Sequence, residues 1–203
     1  SYPAEESPDL QRLTERHYPD PEHKIDAWAK RFLEDRGGPV DTNLLLGEIT
    51  RAIARDFGYE RRYAIGTRPP VETLDLGTGS CRDLSLLMME ALRALGLATR
   101  FVSGYLYDPA RDPARQGEQR SELSGSGATH AWVQVYLPGA GWVEYDPTNG
   151  LVGGGNLIRV GVARDPHQAV PLKGSFTGYP DDYQDMDVTV EVTSDPEEPA
   201  SGA

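Results

Sequence analysis

Gly79-Ser80-Cys81-Arg82-Asp83-Leu84-Ser85-Leu86-Leu87-Met88-Met89-Glu90-Ala91-Leu92-Arg93-Ala94-Leu95-Gly96 decides how the rest of the chain must fold. Ser80 and Asp83 stand three apart, the spacing of a capping box. Leu84, Leu87, Met88, Ala91, Leu92 and Leu95 then recur at helical spacing and form a wide apolar stripe. Gly96 is a natural stop. The spacing predicts a buried helix over about 81–95, and a buried helix needs other elements to cover it.

Both flanks supply them. Upstream, Ile25, Trp28, Ala29, Phe32 and Leu33 predict one helix, stopped at Gly37-Gly38-Pro39. Asp41-Thr42 caps a second, with Leu45, Leu46, Ile49, Ile53, Ala54 and Phe57 as its stripe. Residues 1–22 read as an irregular lead-in and 59–80 as mostly loop. Downstream, strands are expected at Thr99–Tyr107, Thr129–Leu137, Trp142–Asp146, Leu157–Ala163 and Val188–Val192. Pro138-Gly139-Ala140-Gly141 marks a hairpin. Asp108–Gly127 is a long polar loop, a length that goes with functional lids. Helices first and a mostly antiparallel sheet after them is an α+β order.

The chain has 203 residues, a length for one catalytic-sized domain rather than two small ones. The body is expected at 23–180 and an acidic tail at 181–203. The net charge is -12, from 20 Lys+Arg against 32 Asp+Glu. Eight of the acidic residues and no Lys or Arg fall in 181–203, which leaves -4 for the rest. Neither part has the clustered basic charge that nucleic acid or an anionic membrane requires. One Cys excludes an internal disulfide and a Cys-rich zinc site. No apolar run approaches the roughly 18 residues of a membrane span. No secretory signal opens the residues, and a cytoplasmic location is the expectation.

Cys81 stands at the start of the buried helix. Unpaired N–H groups and the helix dipole favour an anion there, so they favour a thiolate. A buried, inert cysteine is the competing reading. A thiol nucleophile needs a base, usually histidine, oriented by a third polar group. His17, His23 and His167 sit in polar, loop-like sequence. His130 opens a strand on which Ala131, Val133, Val135 and Leu137 take the core face and His130, Trp132, Gln134 and Tyr136 the other. On the next strand Val143 and Tyr145 belong with the core set. The register that achieves this gives facing residue numbers an even sum. It brings Asp146 to the face of His130, directly or diagonally across. Periodicity alone does not bring Cys81 to His130.

The segments Gly79–Asp83, Leu92–Gly96, Arg100–Tyr105, His130–Trp142 and Asp146–Gly150 resemble the core of the bacterial transglutaminase-like cysteine enzymes. The resemblance runs from about Leu44 to Gly178, and includes Pro171–Gly178. It implies a papain-like fold with the Cys-bearing helix packed on an antiparallel sheet. It also implies acyl transfer at a carboxamide or peptide carbonyl through a thioester. Cys81 would be the nucleophile, His130 the base and then acid, and Asp146 the orienting carboxylate. Water as acceptor gives a cysteine protease or amidase; an amine gives a cross-linking transglutaminase. A non-catalytic peptide-binding module of the same fold is the alternative. Trp132 and Trp142 are candidate substrate-binding residues, weighed against simple covering of the sheet. Arg82 and Asp83 read first as capping and a local ion pair. The expected partner is a peptide or protein substrate, with no metal and no cofactor. Bacterial members often carry an N-terminal β domain, and nothing strand-rich precedes Asp41. The resemblance therefore allows a longer parent protein.

Overall fold

A computed structural model describes residues 2–34, 40–62, 66–110, 123–170, 174–175, 177–182 and 189–192. Five helices come first: α1 (Ser7–Thr14), α2 (Lys24–Lys30), α3 (Thr42–Asp56), α4 (Pro70–Leu76) and α5 (Cys81–Ala94). Two short strands, β1 (Gly58–Tyr59) and β2 (Thr78–Gly79), lie between them and pair in parallel. The main sheet follows as β3 (Thr99–Leu106), β4 (Thr129–Leu137), β5 (Gly141–Asp146), β6 (Leu151–Val152) and β7 (Leu157–Ala163). Its order is β6-β5-β4-β3-β7, and every neighbour is antiparallel. The architecture is the α+β arrangement expected from the sequence.

α5 is the centre of the molecule. It packs on α2 and α4 on one side and on β3 and β4 on the other. Twelve of its fourteen residues are buried, so it is covered all round rather than on one stripe. Leu84, Leu87, Met88, Ala91 and Leu92 meet Ile25, Trp28, Leu46 and Ile49 from the helices and Phe101, Val133 and Val135 from the sheet. Total coverage also traps polar groups, which then require partners. Glu90 takes them from Arg16 (2.9 Å), from Arg93 (3.0 Å) and from the amide of His17. Arg93 spends its other donors on the carbonyls of Leu13, Thr99 and Arg164. These bonds fasten the N-terminal residues and the end of β7 to the helix.

Several elements depart from the sequence expectation. Residues 7–14 form α1 rather than an irregular lead-in. Only Leu10 of that helix is buried, so it carries no apolar stripe to read. Helix α4 lies in the stretch read as loop. Pro70 starts it and Gly77, at φ 65°, ends it in the left-handed conformation. α2 closes at Lys30, with Phe32 and Leu33 in the turn that follows. Residues 189–192 are not in a strand. The Gly37-Gly38-Pro39 stop, the middle of the long polar loop (111–122), Pro171–Lys173, Phe176, Val188 and most of the acidic tail lie outside the described residues. No helix among the described residues is long and apolar enough to cross a membrane.

Candidate active site

Cys81 is the first residue of α5 and is 8% exposed. The capping box forms as the sequence spacing requires. Asp83 donates its amide to Ser80 Oγ (3.4 Å), and Ser80 donates its own amide back to Asp83 Oδ2 (2.9 Å). The ion pair is not the local one expected. Asp83 is fully buried and accepts from Arg62 Nη1 at 2.7 and 2.8 Å and from the Arg68 amide at 2.7 Å. Burial opposes its charge, but Arg62 and these amides together hold its pKa below the ordinary carboxylate value. Arg82 points elsewhere. It donates to the carbonyls of Pro166 (2.7 Å) and Ala169 (3.3 Å) and lies over the Phe101 ring. The turn carrying Cys81 is thus fastened by Arg62 and Arg68 before the helix and by Arg82 to the segment after β7.

The β4–β5 register has Val133 opposite Tyr145 and Val135 opposite Val143, the even-sum pairing that the apolar pattern demands. Asp146 closes β5, diagonally across from His130. His130 Nε2 and Asp146 Oδ2 are 2.9 Å apart, and both side chains are fully buried. An ionised carboxylate can only accept, so Nε2 carries the proton of that bond. The second carboxylate oxygen, Oδ1, accepts from the Thr148 amide at 2.9 Å. His130 Nδ1 has no hydrogen-bond partner among the described residues and is buried. It is the nitrogen left for Cys81, whose thiol is near without closing a bond of ordinary geometry. Burial works against a charged imidazole here. The hydrogen bond to Asp146, the adjoining Cys81 thiol and the negative charge of both outweigh it, and the His130 pKa is raised to about 10.

The other face of the strand is not an open polar surface. Trp132 is fully buried, stacks on His130 with ring centroids 6.0 Å apart, and donates to Glu144 at 2.6 Å. It therefore has no surface to offer a substrate; it backs the imidazole. Gly104 makes this possible. A Cβ there would collide with the Ile158 carbonyl and stand 2.7 Å from the Trp132 ring. Trp142 faces Tyr136 across the hairpin and lies under the Arg100 guanidinium, 4.1 Å from ring centre to Cζ. Six residues of strand, about 20 Å, separate that position from His130. Trp132 is thus buried behind the imidazole, while Trp142 is part-exposed at the far end of the strand.

Other residues come to the site that the sequence pattern did not single out. Tyr59 pairs with Gly79 through the β1–β2 ladder, and its hydroxyl pKa is raised by burial and by the charge of Cys81. A two-residue strand leaves no periodicity to reveal it. A cavity of about 280 Å³ lies beside the His130 end of the sheet, lined in part by Gly104, Thr129, Gly161, Gln168, Ala169 and Val170. None of these side chains is charged. Arg82 holds the Ala169 wall of the cavity against the Cys81 turn. Among the described residues, no group of three or more His, Cys, Asp or Glu could hold a metal ion.

A cysteine at the N-terminus of a central helix, packed on an antiparallel sheet that presents a histidine and an aspartate, defines a transglutaminase-like core. The sequence pattern of the Transglutaminase-like superfamily matches residues 26–147, and the chain belongs to that superfamily. Among curated proteins, it is 41% identical over 115 residues to the uncharacterized protein ML0607 of Mycobacterium leprae, covering 57% of this chain and 37% of that one. It is 36% identical over 134 residues to the uncharacterized protein Rv2569c of Mycobacterium tuberculosis, covering 64% and 41%. The chain thus spans about two fifths of the length of these relatives. Among solved structures, a Cytophaga hutchinsonii protein described as a putative cysteine protease superposes with a TM-score of 0.60 at 21% identity. That match covers 79% of this chain and 49% of the other, and it concerns the fold.

Proposed function

We propose that this chain is an acyl-transfer enzyme of the cysteine protease or amidase type, with Cys81, His130 and Asp146 as its catalytic residues. The observation that carries the reading is the buried His130–Asp146 pair, whose only unbonded ring nitrogen is left for a thiol at a helix N-terminus. His130 Nδ1 first takes the Cys81 thiol proton, which gives the reacting ion pair. Cys81 Sγ attacks the carbonyl carbon, and charge moves to the carbonyl oxygen. The N–H groups opening α5 stabilise that oxygen. His130 Nδ1 gives its proton to the leaving nitrogen as the C–N bond breaks, and an acyl thioester remains. Water then attacks the thioester and Nδ1 takes a proton from it. The C–S bond breaks, the acid leaves, and the ion pair is restored.

The uncharged cavity beside Thr129 and Ala169 supports a peptide or protein acyl donor with an uncharged side chain near the scissile bond. The test is intact-mass analysis after incubation with a peptide library. An acyl adduct on Cys81 that is lost on hydrolysis is expected in the native protein and absent in Cys81→Ala. Release of a free acid marks hydrolysis, whereas an amine adduct marks transfer. An unmodified Cys81 across the library, with iodoacetamide reactivity no greater than that of free cysteine, overturns the proposal.

A further inference from the structure

Asp146 does not face His130 alone. Its Oδ2 also accepts a hydrogen bond from Asn149 Nδ2 at 2.8 Å. The same nitrogen donates to the Ser124 carbonyl at 3.1 Å, and Asn149 Oδ1 accepts the Ser124 amide at 2.9 Å. One side chain therefore makes three bonds, one to the carboxylate and two to the backbone of a turn 25 residues earlier. That turn, 123–127, is no bystander. Gly125 has φ +89°, and a Cβ on it would stand 2.6 Å from His130 Nδ1 and 3.2 Å from Cε1. The turn thus rests directly on the imidazole edge that Cys81 must use. Its other fastening is at Leu123, whose amide donates to Asp108 Oδ2 at 2.9 Å.

We infer that Asn149 is a positioning residue that orients Asp146 towards His130 and, through the same amide group, latches the 123–127 turn over His130 Nδ1. This rests on the proposed roles of Cys81, His130 and Asp146. The chemistry follows from donor counting. A primary amide offers two N–H donors and a carbonyl acceptor, and Asn149 uses both functions. Asp146 Oδ2 is then fixed from two directions, with Oδ1 fixed from a third by Thr148. A carboxylate so held cannot rotate away when the imidazole changes charge. The turn, tied to the same side chain, bears on one side of the ring at Nδ1 and so fixes the direction from which that nitrogen is reached. A bond to an ionised partner is stronger than a neutral one, so its loss should be felt at His130.

The test compares Asn149→Ala, Asn149→Asp and Gly125→Ala in the full chain, by NMR of the His130 ring and of the Ser124 amide. The rate of Cys81 alkylation by iodoacetamide is followed from pH 5 to 10. The groups that face this pair are Asp146, Tyr59 and Arg82, and none is altered. Asn149→Ala should weaken the His130 Nε2–H signal, speed Ser124 amide exchange, and slow alkylation about tenfold, the loss expected for one charge-assisted bond. Asn149→Asp preserves shape and the acceptor for the Ser124 amide but sets a second carboxylate against Asp146. It should keep Ser124 protected while still disturbing the His130 signal. Gly125→Ala should disturb the Nδ1 side and expose Ser124. If Asn149→Asp leaves the His130 signal and the alkylation profile as in the native protein, Asn149 is only a tether for the turn and the inference falls. Should Asn149→Ala fail to fold, the Asp variant alone decides. Both readouts are independent of peptide turnover. Absence of turnover in the native protein would sink the proposed function and leave this comparison intact.

Discussion

Asp83→Asn tests how the Cys81 turn is held. In the native protein the carboxylate is fully buried and accepts from Arg62, the Arg68 amide, the Ser80 amide and Ser80 Oγ, all between 2.7 and 2.9 Å. An asparagine has the same shape but turns one acceptor into a donor, facing either the Ser80 amide or Arg62. It also leaves Arg62, only 14% exposed, without its counter-charge. Breaking a buried pair from one side costs about 3–5 kcal/mol. Arg62 retains a little access to water, which argues for the lower end, about 3 kcal/mol. For a domain of this size that is a fall in Tm of about 6–12 °C. The sign of the pH dependence follows from the lowered pKa. The carboxylate contributes its stability above the ordinary value of 3.8 and loses it as pH falls through its lower folded value. Thermal unfolding by circular dichroism should therefore show a constant gap between the two proteins from about pH 5 to 8, closing in stronger acid. Arg62→Gln and the double variant complete a cycle, in which the double should cost clearly less than the two singles together. A shift below about 2 °C at pH 7, or additive single effects, would refute the argument.

Three further outcomes follow. His130 has its pKa raised from 6.5 to about 10, so its charged form adds stability that is complete below pH 6.5 and is lost as pH rises through about 10. Native protein should lose stability over that alkaline range relative to His130→Gln, as read from urea midpoints across pH. Gly104→Ala places a methyl group between the Ile158 carbonyl and the Trp132 ring, and should cost at least about 1–3 kcal/mol of unfolding free energy in chemical denaturation. Val170→Trp, at the rim of the 280 Å³ cavity, should raise KM for a peptide substrate while alkylation of Cys81 by a small reagent is unchanged. An unchanged KM would remove the cavity from the substrate path.

The main helices and strands were legible because each carries a long apolar pattern. α3, α5, β4 and β7 lie where periodicity sets them, and the β4–β5 register followed from putting Val133, Val135, Val143 and Tyr145 on one face. The same rule delivered the His130–Asp146 contact without any assumption about function. Elements of two residues, such as β1, β2 and β6, have no period, and a helix burying only Leu10 has no stripe. The two tryptophans read equally as groove lining or as cover for the sheet, and the pattern does not choose. Alternation distinguishes two faces of a strand but does not say whether the second face is covered. Here Gly104 lets β7 and the Trp132 ring close together, so the His130–Trp132 end of the face that reads as open is sealed.

That sealing bears on what kind of site this is. A histidine whose charge is favoured needs low exposure to water if its bond to Asp146 is to count, yet burial by itself disfavours the charge. The molecule meets both demands by setting neutral groups, the Trp132 ring and Gly125, against His130 and bringing negative charge to it through Asp146 and Cys81. The same division recurs around the helix. Asp83 at its start and Glu90 and Arg93 further along are buried with their partners, while its remaining buried surface is largely apolar. Each charge is thereby tied to named partners on neighbouring segments, which fixes the direction of α5 and the place of Cys81 at its tip. Substitutions that leave charge unpaired should accordingly move Cys81 more than apolar trimming of equal size, a contrast open to measurement as alkylation rates for Asp83→Asn beside Leu87→Ala.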